Sequence, residues 1–95
     1  MISVTAKNVE LKPDMKEYID QKFSELDKYL DRIQFIDVVV EEEKLLKHVS
    51  LKIGVKKMGA VTLKEKAESF NEAVDLVRDK AKKRLTRMKE KVFSQ

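Results

Sequence analysis

VSLKIGVKKMGAVTLKEK, residues 49–66, is written in period two. Val49, Leu51, Ile53 and Val55 alternate with Ser50, Lys52, Gly54 and Lys56, and after a break Val61 and Leu63 alternate with Thr62, Lys64 and Lys66. Successive side chains of a strand point to opposite faces, so the pattern predicts two strands, each with one buried and one wet face. Met58-Gly59 between them is turn chemistry, because glycine reaches positive φ without a Cβ clash. A hairpin with one apolar face needs something to cover that face, and the flanking residues supply it.

Towards the N-terminus, a strand is expected from about Phe35, with Ile36, Val38 and Val40 on one side and Asp37, Val39 and Glu41 on the other. The acidic run Glu41 to Glu43 then leads through Lys44 to Lys47 into the hairpin. Before it, Pro13 sits in a first turn with Asp14 and Glu17, and the apolar set Met15, Ile19, Phe23, Leu26, Leu30 and Ile33 predicts a helix ending near Arg32. Ile2, Val4 and Ala6 alternate with Ser3, Thr5 and Lys7 as a first strand, which a helical crossover makes parallel to the next. Towards the C-terminus, Ser69 with Glu72 forms a capping box that opens a long helix carrying Phe70, Ala73, Val74, Val77, Ala81, Leu85, Met88 and Val92 on one face. The order is β-α-β-β-β-α. Because each strand is apolar on one side only, the expected architecture is α+β: a four-stranded mixed sheet with two helices packed on one face, residues 1–95 forming a single domain.

Composition narrows the function. Ninety-five residues hold one core and no deep substrate cavity. There is no cysteine, so disulfides and thiolate metal sites are excluded, and a reducing, cytoplasmic setting is the expectation. No apolar run has the length of a membrane span, and the first residues do not read as a signal peptide. The inventory for catalysis is thin. His48 is the single histidine and lies out of phase with the buried set, which reads as a surface histidine rather than a metal ligand or base. Two glycines leave no phosphate-cradling loop, and neighbouring acids on a strand diverge, so Glu41 to Glu43 do not converge on a cation. Neither enzyme chemistry, nor a cofactor, nor a metal, nor a small-molecule substrate is expected.

The charge is concentrated in the last helix. From Arg78 to Lys91 eight basic residues face two acids, a net +6 in a chain of +4, so the remainder is acidic by two. At about 100° per residue, Lys80, Arg84, Arg87 and Lys91 form one stripe flanking the apolar face, with Lys83 beside it, while Arg78, Lys82 and Lys89 lie on the opposite flank. The stripe is about 16 Å long, enough to meet more than one backbone phosphate. Two readings are open: a solubilising face with cations near a helix C-terminus, or a surface for a polyanion. In the first helix Tyr18, Lys22, Tyr29 and Arg32 share a flank, where tyrosines either edge the core or stack on bases. Lys28 lies on the outer face among acids.

These residues resemble the ribosome hibernation promoting factors and ribosome-associated inhibitors, a family also described as modulators of an alternative sigma factor. The resemblance covers the whole chain: its length and element order, EYIDQKFSELDKYLDRI at 17–33, VVV at 38–40, and EAVDLVRDKAKKRLTRMKEK at 72–91, which looks like the family's AID followed by DKLxRQL and spaced lysines. It implies a fold akin to double-stranded RNA binding domains, docked on ribosomal RNA in the decoding channel of the small subunit, where it blocks messenger and transfer RNA during stress or stationary phase. The same resemblance implies RNA contacts at Lys22, Lys28, Lys80, Lys83, Arg87, Lys89 and Lys91. Arg84, on the stripe, stands where the family usually has Gln; Ser69 replaces a frequent Asp and Asn71 a frequent Tyr. The chain resembles the short type, without the dimerising domain of long members. The rival reading is a protein-interaction module that modulates a sigma factor through an edge strand or the wet face of the sheet.

Overall fold

The structure, a computed structural model, describes residues 2–93, with side chains through Glu90. Its elements are β1 (Ile2–Lys7), α1 (Pro13–Ser24), a 3₁₀ turn (Glu25–Lys28), β2 (Ile33–Glu43), β3 (Leu46–Val55), β4 (Gly59–Ala67) and α2 (Phe70–Phe93). The sheet order is β1-β2-β3-β4, with β1 parallel to β2 and the remaining pairs antiparallel. This is the expected mixed sheet and element order.

Register explains the single core. Val4 pairs with Val38, Val38 with Leu51, and Leu51 with Leu63, so the apolar positions of all four strands fall in rows on one face. Ile19 and Phe23 of α1, Leu26 of the 3₁₀ turn, and Val74, Val77, Ala81 and Leu85 of α2 close over those rows and are fully or almost fully buried. Each large aliphatic or aromatic side chain buried in this way contributes about 1.5–3 kcal/mol. Among the described residues no polar or charged side chain is buried. Both helices therefore share one face, and the opposite face is wet: Ser3 donates to Asp37 across β1 and β2 at 2.7 Å, and His48 lies between Glu41 and Lys66.

The first helix departs from expectation. The α-helix stops at Ser24, the chain tightens into the 3₁₀ turn, and β2 begins at Ile33 rather than near Phe35. Leu26 and Leu30 keep spacings of three and four, so they reach the core from either helix type, and the tighter winding hands Ile33 to the sheet. Gly54 is a second feature that alternation does not show. It lies on the wet face but is covered by the ring of Phe35, with which a Cβ there would clash. Glycine in mid-strand marks this close approach. At the start of α2, the Ser69 hydroxyl accepts from the Glu72 N–H at 3.2 Å, which confirms the cap.

Candidate nucleic-acid interface

The basic residues of α2 divide between two surroundings. The flank carrying Arg78 and Lys82 turns towards α1 and the 3₁₀ turn, where it meets acids and aromatics. Arg78 Nη1 donates to Glu25 at 2.8 Å and Nη2 to Asp79 at 3.1 Å. Lys82 Nζ stands 5.2 Å from the centre of the Tyr29 ring, and Lys22 Nζ 5.5 Å from that of Tyr18. Partly exposed ion pairs and cation–π contacts of this kind are each worth about 1 kcal/mol or less, but together they fix how the helices cross.

Tyr18 adds a stronger tie. Its hydroxyl donates to Asp75 at 2.6 Å, joining α1 to the first half of α2. The phenol pKa is raised above its usual 10.0, first by that hydrogen bond, then by burial and the charge of Asp75, with Arg78 opposing. A group whose pKa is raised on folding stabilises fully below its unfolded value, so this tie is intact at neutral pH and is lost only as pH climbs through the raised value.

The other flank faces β4 and solvent. Lys80, Lys83, Arg84 and Arg87 line one shallow groove with Leu63. Lys80 is ion-paired with Glu65, which rises from the helix-facing side of β4. Lys83, Arg84, Arg87 and Lys89 are exposed and, among the described residues, have no ion-pair partner. Of the residues expected to contact RNA, the structure thus brings Lys80, Lys83, Arg84 and Arg87 together. Lys89 is exposed on the flank of Arg78 and Lys82, about two turns beyond Lys82. Lys28 is exposed at the end of the 3₁₀ turn, next to Tyr29, and Lys22 lies apart, half-buried over Tyr18. The Lys91 side chain is outside the described residues. Tyr18 and Tyr29 are half-buried with a cation over each ring.

Glu65 is the participant that sequence reasoning missed. Its place opposite Lys80 depends on α2 lying over β4, which no spacing within either element reveals. Arg32, also on the surface, shares a cleft with Asp31, Lys56 and Lys57.

Comparison with known proteins fits this geometry. The family model described as Sigma 54 modulation protein / S30EA ribosomal protein matches residues 2–92. The chain belongs to this family. Within it, the chain is 29% identical to the ribosome hibernation promoting factor of Klebsiella oxytoca over 91 residues, covering 96% of this chain and 95% of that one. It is 30% identical to the factor of the same name from Salmonella typhimurium, with the same coverage. Among solved structures, a ribosomal subunit interface protein from Coxiella burnetii superposes with a TM-score of 0.87 at 21% identity, covering 94% of this chain and 97% of that one. The N-terminal domain of Thermus thermophilus protein Y gives 0.82 at 20% identity, covering 90% and 94%. The S30EA fold is thus shared, and among the described residues no helix is long and apolar enough to cross a membrane.

Proposed function

We propose that this chain is a ribosome hibernation factor of the cytoplasm that binds ribosomal RNA of the small subunit and keeps messenger and transfer RNA out of the decoding channel. The observation that carries the reading is the flank of Lys83, Arg84 and Arg87, exposed and, among the described residues, without an ion-pair partner, on a helix whose other flank holds Arg78 between Glu25 and Asp79 and Lys82 over the Tyr29 ring. The names of the family's relatives support it. Binding uses no chemical step: Lys and Arg replace the counterions of phosphates, and an A-form helix is recognised through backbone and shape more readily than through base edges. The resemblance adds Lys28, Lys89 and Lys91 to the contact, and of these Lys28 and Lys89 are exposed. Stacking on Tyr18 or Tyr29 would have to displace Lys22 or Lys82 from their rings, so the reading rests on the cations.

Sedimentation with purified small subunits tests it. The expected result is co-sedimentation that falls steeply with salt and is competed by transfer RNA; binding indifferent to both would refute it. The rival reading, a modulator of a sigma factor, has the family description in its favour and predicts salt-insensitive capture of a protein instead.

Glu65 sets the affinity in this scheme. It holds Lys80 in the unbound protein, so the helix must break that pair before Lys80 reaches a phosphate. Glu65→Gln is expected to tighten small-subunit binding by up to about tenfold at ~0.1 M salt, the worth of one phosphate contact. Unchanged affinity in a titration would show that Lys80 stays with β4 when bound.

A further inference from the structure

We propose that the β3–β4 turn, through Lys56 and Lys57 with Arg32 beside them, is a second RNA-backbone contact that continues the α2 flank around the end of the molecule. This rests on the small-subunit reading above and adds residues that the resemblance does not carry over.

The turn is built and held. Val55 pairs with Gly59 across a loop of Lys56, Lys57 and Met58, closed by the Met58 N–H donating to the Val55 carbonyl at 3.0 Å. From the other side the Lys56 N–H donates to the Arg32 carbonyl at 2.9 Å, tying the turn to the residue before β2. A contact surface on a fixed turn loses little freedom on binding. Lys57 sits at φ 66, in the left-handed region, although the turn also has a glycine at Gly59 with φ 84. A lysine there costs about 1 kcal/mol or more that Gly or Asn would largely avoid, as it does at Lys44, where φ is 59. Both lysines are exposed and have no ion-pair partner among the described residues.

Position gives the turn its meaning. On one side Met58 shares a cleft with Arg84, Arg87 and Met88 of α2, so the loop abuts the unneutralised end of the helix flank. On the other side Lys56, Lys57 and Arg32 line a cleft in which Asp31 is the single acid. The cations therefore form a line along α2 and a second patch across its end. A line alone follows one run of phosphates, whereas a patch set off to one side also reaches phosphates across a groove or on an adjoining strand of folded RNA.

The experiment is a salt titration of small-subunit binding by the full chain and three variants. Lys56→Gln with Lys57→Gln is expected to lower the slope of log affinity against log salt by about 1.4–1.8 and to weaken binding about 30-fold at ~0.1 M salt. The same charge removed from the wet face of the sheet, Lys52→Gln with Lys64→Gln, is expected to leave the slope unchanged. Lys57→Gly relieves the left-handed backbone, so it should bind more weakly while melting no lower than the unaltered chain, which separates lost contact from lost fold. An unaltered slope in the turn variant, or an equal loss from both lysine pairs, overturns the local contact while the small-subunit reading stands. An unaltered chain that fails to bind small subunits overturns both.

Discussion

Replacing Lys83, Arg84 and Arg87 together by Glu is expected to abolish co-sedimentation with the small subunit while the circular dichroism spectrum and melting temperature stay near those of the unaltered chain. The three side chains are exposed and make no ion pair among the described residues, so the folded state loses nothing when they go. Bound RNA loses a great deal. Each phosphate contact carries affinity as about the 0.7–0.9 power of inverse salt, or roughly five- to eightfold at ~0.1 M. Three lost contacts therefore weaken binding by at least about a hundredfold, before counting the repulsion that three carboxylates add. Reversing Arg78 is a different experiment, because that guanidinium bonds Glu25 and Asp79 and its loss unsettles the helix crossing. Retained binding by the triple variant would rule out the α2 flank as the RNA surface.

Phe23→Ala is the variant expected to damage the fold most. Phe23 is wholly buried and the largest such side chain, held on the last turn of α1. Truncation removes its transfer free energy and leaves a cavity that a sheet on one side and α2 on the other do not readily fill, a loss of about 3–5 kcal/mol. Domains of this size have about 5–15 kcal/mol in all, so the midpoint of thermal unfolding should fall by about 15–30 °C. Urea or thermal unfolding measures it directly. A loss under about 1 kcal/mol would mean that α1 is not packed on the sheet as described.

How far the sequence revealed this protein depends on whether a feature repeats along one element. Val49, Leu51, Ile53 and Val55 announce both a strand and the face it buries, and the same is true of β1, β2 and the apolar stripe of α2. The 3₁₀ turn was illegible because Leu26 and Leu30 satisfy both helix types, and Ile33 prolongs the same spacing into a strand. At the site, helical spacing separates two basic flanks, and the structure gives Arg78 and Lys82 different surroundings from Lys80, Lys83, Arg84 and Arg87. Spacing carries no record of the ground beneath each: Glu65 under Lys80, Glu25 and Tyr29 beside Arg78 and Lys82. Those partners come from other elements and enter only through tertiary packing. Alternation assigns Lys56 to the wet face of the third strand, whereas the strand ends at Val55 and Lys56 opens the turn; the positive φ of Lys57 belongs to a residue type that rarely adopts it, so no period marks it.

The sheet order repeats the chain order, each strand lying beside the one before it. The β2–β3 and β3–β4 pairings are thus closed by short turns, which keeps their loop-closure entropy small, while the parallel β1–β2 pair waits for the crossover through α1. Synthesis runs in the same direction. When α2, the last of the described elements, leaves the exit tunnel, the four strands it must cover have already been made, and its apolar stripe has a finished template on which to settle.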